Sequence, residues 1–237
     1  MMRPITPSRM SIQLGFWSAF LIAIAFIIFT ASFVAIALAP PLFIWTNLAD
    51  YVAFTARHDQ FFQHLARFTM LAFGPLFVLL LNSIHDYASE GDRILTRIGL
   101  CFGTAFAILT GINYFVQLSA VRLSLLKGEF QGLEQIIQAN PNSAISAVNM
   151  LGWTLFLGLA SLSISPVFKG SRLERAIGIA FLLNGVFCLL GGIGYVLDLT
   201  VLVFLTINFG MGGAVLVAAA LMCVLFNRMQ HARSNNA

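Results

Sequence analysis

Two amide side chains one helical turn apart are the strongest candidates for binding a ligand in this sequence. Asn113 and Gln117 are four residues apart, with Tyr114 beside them, and positions four apart lie on the same face of an α-helix. Arg122 follows at the end of the same apolar segment. Amide and phenol groups both donate and accept hydrogen bonds. The pattern therefore predicts a ligand-facing strip formed by Asn113, Tyr114 and Gln117.

Asparagine recurs in four other apolar segments. These further ligand-binding candidates are Asn82, Asn149, Asn184 and Asn208. Because an amide left unpaired in hydrocarbon costs several kcal/mol, we expect all of these side chains to point inward and to bond across helices or to water. Two interpretations stay open: the amides hold neighbouring helices together, or they contact a bound molecule. Both predict a polar centre.

Groups that could support catalysis or bind a metal are sparse. His85 and Asp86 lie where an apolar segment ends, and a solvated helix end explains them as well as a proton-sensitive site does. His58 and His64 flank Asp59, but six-residue spacing without a second pair of ligands is weak evidence for a metal site. The sequence has no known catalytic fingerprint and no carboxylate pair within an apolar segment. It therefore predicts no metal, no cofactor and no catalytic residue, and it does not indicate an enzyme.

The composition of the chain differs from that of a soluble protein. Of 237 residues, 59% are hydrophobic and only 9% are charged, against roughly 25% charged in a soluble domain. A helix of about 20 apolar residues crosses the hydrocarbon core of a bilayer. Six such segments are expected, over residues 11–37, 68–85, 98–121, 144–168, 176–197 and 199–227.

The same segments predict the fold class. An open sheet cannot satisfy its backbone in hydrocarbon, and these unbroken apolar runs lack the alternation of barrel strands. We therefore expect an all-α, polytopic bundle of about six transmembrane helices, forming a single integral membrane domain over residues 1–237. Its surface is expected to contact the lipid bilayer, and nothing indicates binding to nucleic acid.

Basic residues in the connections predict the orientation. One side of the bundle collects nine of the Lys and Arg residues: Arg3, Arg9, Arg93, Arg97, Lys169, Arg172, Arg175, Arg228 and Arg233. The other side collects four: Arg57, Arg67, Arg122 and Lys127. Because positively charged loops stay in the cytoplasm, both termini are expected there. In length and number of apolar segments the chain resembles small multi-pass proteins of bacteria, so the expected location is the bacterial inner (plasma) membrane.

Small residues predict where helices approach closely. Gly99, Gly103, Ala107 and Gly111 repeat every four residues and form one helix-packing face. Packing within the chain and an interface between copies are both compatible with such a face. Two further groups of glycine, Gly191, Gly192 and Gly194 and then Gly210, Gly212 and Gly213, permit either close packing or a broken helix.

Two connecting segments are longer than tight turns. Residues 40–67 carry several aromatic side chains, and residues 127–143 contain an apolar pattern. Both could form helices in the membrane interface, either as connectors packed on the rim of the bundle or as a lid over a cavity. A weak similarity between residues 109–114 and 205–209 also leaves open whether two three-helix halves form an inverted repeat.

These observations support two hypotheses of function. The first is a protein that binds or transports a small, largely apolar molecule, because the central amides, the 23 phenylalanines and the glycines suit an apolar site with few polar groups. The alternative is a non-catalytic accessory or assembly subunit that binds another membrane protein, because the small-residue face offers a surface for helix contact.

Overall fold

The computed structural model describes residues 7–38 and 43–234 of the chain, and within these residues the protein is all-helical with no strand. Six long helices and one short helix are present: α1 (Arg9–Leu38), α2 (Leu48–Arg57), α3 (Phe61–Tyr87), α4 (Glu90–Lys127), α5 (Ala144–Val167), α6 (Arg172–Val196) and α7 (Thr200–Arg233). All except α2 are long and apolar enough to cross a membrane. This architecture indicates an integral membrane protein.

Two helices extend well beyond the apolar segments that predicted them. The segment 68–85 lies within α3, which begins at Phe61, and the segment 98–121 lies within α4, which runs from Glu90 to Lys127. The prediction stopped at the first charged or polar residue, whereas long basic side chains are tolerated near the ends of membrane helices because they reach out to polar surroundings. The helix extensions bring additional polar residues to both ends of the bundle.

Polar side chains fix the start of several helices. The Ser143 side chain accepts a hydrogen bond from the backbone N–H of Ser146 and caps α5. Ser171 and Glu174 form a capping box at the start of α6, and the side chain of Asn47 caps α2 by accepting from the N–H of Asp50. Each cap satisfies backbone donors that the first helical turn leaves unpaired.

The six long helices form a closed ring. Going around the ring, each helix packs mainly against two neighbours, in the order α1, α3, α4, α5, α6, α7 and back to α1. Aromatic rings fill the centre: Phe73 stacks on Trp153 with ring centroids 5.6 Å apart, and Phe106 meets Trp153 edge-on at 5.0 Å. Phe26 reaches the same cluster from α1. These contacts hold α1, α3, α4 and α5 around one aromatic core.

Both ends of the described chain lie at the same end of the bundle, which we name the terminal end. There Arg233 donates a hydrogen bond to the carbonyl of Pro7 at 2.9 Å. Lys169, in the connection between α5 and α6, forms an ion pair with Asp92 of α4 at 2.7 Å. Tyr87 donates a hydrogen bond to Glu174, which joins α3 to α6. Polar and charged contacts therefore connect the helices at this end.

The opposite end carries a small apolar cluster of its own. Tyr51 of α2, Val121 of α4 and Leu133 and Ile137 from the segment between α4 and α5 are buried together. Of the two expected interfacial helices, residues 48–57 are helical as α2, while residues 40–42 lie outside the described part. Residues 128–143 form turns with one short 3₁₀ helix at Leu133–Gln135. This segment folds over the end of the bundle as a compact loop.

Candidate functional site

A cavity of about 330 Å³ lies inside the ring, bounded by α1, α5 and α7 with contributions from α3 and α4. Phe26 and Phe29 of α1, Trp153 of α5 and Met211 of α7 give it largely apolar walls. Its polar side chains include Tyr114, Asn149 and Asn208. A cavity of this kind suits a small apolar molecule that is oriented by a few hydrogen bonds.

The polar side chains of the cavity include one hydrogen-bonded pair and one acceptor without a partner among the described residues. The indole Nε1–H of Trp153 donates to the hydroxyl of Tyr114 at 3.1 Å, and both side chains are buried. Asn149 precedes Trp153 by one helical turn and is 7% exposed, but its Oδ1 has no hydrogen-bond partner among the described residues. A buried acceptor without a partner is costly. Asn149 therefore lines the cavity while its Oδ1 is enclosed and has no partner among the described residues.

Two π-helical segments help to shape this cavity. Gly152–Phe156 in α5 contains Trp153, and Leu205–Met211 in α7 contributes Ile207, Asn208, Phe209 and Met211 to the lining. A π segment widens a helix and shifts its side chains, and such segments are frequent at functional sites. A third one, Gln117–Val121, follows Tyr114 in α4. Two of the helices that line the cavity, α5 and α7, are thus irregular where they line it.

The cavity opens at the surface of the bundle between α1 and α7. Its lining combines buried side chains such as Trp153 with exposed ones such as Phe209 of α7, and Thr30 of α1 is also exposed. The contacts between α1 and α7 are concentrated in Gly212–Ser234, beyond the π segment. In a membrane, such an opening would face the lipid.

The predicted strip on α4 is divided between three environments. Tyr114 lines the central cavity, whereas Asn113 is fully buried without lining it, and neither side-chain polar atom of Asn113 has a partner among the described residues. Gln117 is also fully buried, but it donates to the carbonyl of Ile136 at 2.7 Å and accepts from the N–H of Gln138 at 3.0 Å. Gln117 thereby holds the loop 128–143 onto the bundle.

Of the remaining asparagines, Asn184 is buried, whereas Asn82 and the cavity-lining Asn208 are exposed. Asn184 is buried, accepts from the Ser161 hydroxyl at 2.7 Å and donates to the carbonyl of Met211 at 3.1 Å, so it joins α6 to α5 and α7. Asn82 and Asn208 are exposed, contrary to the expected inward orientation. In each, the side-chain amide N–H donates a hydrogen bond to the backbone carbonyl of the residue four positions earlier in the same helix. This local bond removes the need for a partner on another helix.

The small residues on α4 meet two different helices. A methyl group added at Gly99 would lie 2.6 Å from the Ile164 side chain of α5, and one added at Gly103 would overlap Leu81 of α3. Ala107 in turn faces Gly74 of α3. A methyl group added at Gly111 would meet nothing within 4 Å. The first three positions therefore lie at contacts within the ring.

The two later glycine groups lie in continuous helices. Gly191 packs on Ile207 and Gly194 on Leu202, so α6 and α7 approach closely there. α7 continues from Thr200 through Gly210, Gly212 and Gly213 to Arg233 without a break, and its irregularity is the π segment Leu205–Met211.

The histidines do not gather metal ligands in the described residues, where no group of three or more His, Cys, Asp or Glu side chains could hold an ion. His85 forms a hydrogen bond with Thr96 at 2.7 Å through its Nδ1, and Asp86 is exposed beside it. His58 stacks against Phe54. These contacts are those of ordinary helix ends.

Sequence reasoning did not identify the aromatic walls of the cavity. Trp153 and Phe26 lie in apolar segments where many side chains are equally apolar, so periodicity alone could not separate a cavity wall from the core. A usable signal was the pair Asn149 and Trp153, since two hydrogen-bonding side chains four residues apart in a membrane helix share one face.

No protein-family model matches the chain, and no curated protein or solved structure is significantly similar to it.

Proposed function

We propose that the protein binds a small, largely apolar molecule in the cavity between α1, α5 and α7, and that the molecule donates a hydrogen bond to Asn149. The observation that carries this proposal is the Oδ1 of Asn149, which is buried and has no partner in the described part of the chain, on a residue that lines a cavity with mostly apolar walls. An alcohol or amide on an apolar body would satisfy this acceptor.

The size of the cavity supports a small ligand. Drug-sized molecules occupy pockets of roughly 300–1,000 Å³, and this cavity, at about 330 Å³, falls at the lower limit. Phe26, Phe29 and Trp153 would contact the apolar body of the ligand, while Tyr114 holds the Trp153 indole in place. A rigid aromatic wall limits the loss of side-chain entropy on binding.

The opening between α1 and α7 suggests the route of access. A molecule dissolved in the bilayer could pass from the lipid-facing surface near Phe209 into the cavity without crossing water. This route suits both a binding protein and a transporter of membrane-soluble molecules. We further propose a bacterial inner (plasma) membrane location with both termini in the cytoplasm, supported by the excess of basic residues on the terminal side.

Native mass spectrometry of the full-length protein, extracted gently from its own membrane, tests the proposal. We expect the wild-type protein to carry a small apolar molecule and Asn149→Ala to retain about fivefold less of it, because one buried hydrogen bond is lost. Asn82→Ala is the matched control, since Asn82 is exposed and bonds only to its own helix. Equal retention by all three proteins would refute the assignment of Asn149.

A second variant separates the loss of the site from a folding defect. Gly213 lines the cavity, and a side chain there would not meet another atom within 4 Å of its Cβ. Gly213→Leu should therefore reduce ligand retention while leaving thermal stability close to that of Gly111→Leu, whose position has similar space outside this cavity. A stoichiometric partner chain without any small molecule would instead support the accessory-subunit alternative.

A further inference from the structure

We propose that a second cavity, at the opposite end of the bundle, binds a phosphate group through Arg67, Arg122 and His64. This cavity has a volume of about 320 Å³ and lies between α2, α3 and α4. Its ligand is distinct from the one proposed for the central cavity, and the two proposals stand or fall separately.

Three side chains that carry or accept positive charge line this one cavity. Arg67 and His64 lie one helical turn apart on α3, and Arg122 faces them from α4. Both arginines lie close enough to act electrostatically on the His64 ring. Converging cations repel one another in partly desolvated surroundings, and a bound anion relieves this repulsion.

The protein provides little compensating negative charge at this cavity. Asp59 is the carboxylate that acts on His64, but it is exposed, its Oδ1 accepts from the backbone N–H of Phe61, and it does not line the cavity. The ion pair found in the described residues, between Lys169 and Asp92, lies at the terminal end. The arginines of the cavity are therefore not neutralised by an acidic partner in this part of the chain.

The guanidinium groups of the cavity have hydrogen-bond donors available for a ligand. Arg67 makes no hydrogen bond within the described residues, and Arg122 uses only its Nε, which donates to the Leu118 carbonyl at 3.1 Å. The Nδ1 of His64 is buried without a partner in the same residues. Two guanidinium forks match the geometry of phosphate oxygens, to which arginine donates paired hydrogen bonds.

The other polar side chains that line this cavity already form hydrogen bonds within the protein, so phosphate binding depends on the three basic side chains. Gln60 donates to the carbonyl of His58, Thr55 donates to the carbonyl of Val52, and Gln117 is bound to the loop 128–143. These groups line the cavity while satisfied by the protein itself. Tyr51 and Val121 complete it with apolar surface, which suits a phosphate attached to an organic group as well as free phosphate.

The test uses the full-length protein in nanodiscs of equimolar phosphatidylcholine and phosphatidic acid, with bound lipid counted by native mass spectrometry. We expect Arg67→Gln and Arg122→Gln each to reduce retained phosphatidic acid about tenfold, since each removes charge-assisted hydrogen bonds. Arg57→Gln is the matched control, because Arg57 is an exposed arginine of α2 that does not line the cavity. Its retention should equal that of the wild type.

Two further arms identify the source of the phosphate and guard against misfolding. If inorganic phosphate displaces the retained lipid and raises the melting temperature of the wild type but not of Arg67→Gln, the site binds free phosphate. If inorganic phosphate has neither effect, the site binds the phosphate of a lipid headgroup. Arg67→Lys keeps the charge without the fork and should retain an intermediate amount. Unchanged retention in an Arg67→Gln, Arg122→Gln double variant that melts like the wild type would overturn the proposal.

Discussion

The two sides of α5 differ in how completely their buried polar groups are hydrogen-bonded. Toward α6, Ser161 donates to Asn184, and Gly158 and Gly185 let the helix backbones approach so closely that a Cβ at Gly185 would lie 2.9 Å from the Gly158 carbonyl oxygen. We call these four residues the closed region. Toward α4 and the cavity, Trp153 donates to the Tyr114 hydroxyl, but other buried polar atoms have no partner among the described residues.

The residues on that other side form what we call the open region: Asn113, Tyr114, Asn149 and Trp153. Here the Oδ1 of Asn149 and both polar side-chain atoms of Asn113 have no partner among the described residues. The same amide group therefore joins helices where a partner on the neighbouring helix lies within hydrogen-bond distance, and it stays unpaired where none does. The surroundings of an amide, not its residue type, decide whether it is paired.

The largest expected effect is at Gly185, where backbone contact leaves no room for a side chain. Gly185→Ala would place a methyl group against Leu162 and the Gly158 carbonyl, and we expect it to lower the free energy of unfolding by about 2 kcal/mol. Unfolding in mixed detergent micelles, followed by circular dichroism, measures this. Gly111→Ala is the control, because nothing lies within 4 Å of the added methyl group. Equal stability of the two variants would break the distinction between the regions.

The next effect should differ in sign between the two regions. Asn184→Leu removes the hydrogen bonds to Ser161 and Met211 and should destabilise the protein by about 1–2 kcal/mol. Asn113→Leu replaces an unpaired buried amide with an apolar side chain that has the same number and branching of heavy atoms, and should stabilise the protein by about 1 kcal/mol. The same unfolding experiment measures both. A destabilised Asn113→Leu protein would mean that Asn113 has a partner and belongs with the closed region.

The smallest global effect is expected at Gln117, which joins the open region to the loop 128–143. Gln117→Leu removes bonds to Ile136 and Gln138 and should change overall stability by less than about 1 kcal/mol, while local opening of the loop becomes easier. Hydrogen–deuterium exchange of residues 128–143 should become faster. Ser119→Ala, whose hydroxyl bonds only to its own helix, should leave that exchange unchanged. Unchanged exchange in Gln117→Leu would show that Gln117 does not hold this loop onto the bundle.

The fold was predictable because burial in hydrocarbon constrains sequence strongly. A run such as residues 11–37 contains no charged residue, and only a helix satisfies its backbone within a membrane, so α1 agrees with the expected segment to within two residues at each end. The start of α3 was not predictable in this way. His64 and Arg67 interrupt the apolar run, yet they lie on the helix and line a polar cavity at its end.

The site was only partly predictable, because some of its hydrogen bonds join residues that are far apart in the sequence. The presence of polar side chains at membrane depth is visible in the sequence, but their partners are not. Asn184 is satisfied by Ser161 and by the carbonyl of Met211, 23 and 27 residues away, whereas Asn82 is satisfied by its own helix. Nothing local to these asparagines distinguishes the two cases. The π segments are likewise set by tertiary packing.

Those π segments decide where α4, α5 and α7 tolerate a change in chain length. Each accommodates an extra residue within a helix, so deleting one residue from Leu205–Met211 would restore regular winding and keep the later side chains of α7 on their present faces. Deleting Gly213 from the regular helix that follows would instead turn every later side chain by about 100°. Val215, Met222 and Phe226, now buried, would then rotate out of the core. Two single-codon deletions only a few residues apart should therefore differ in whether they change the face that α7 presents to its neighbours.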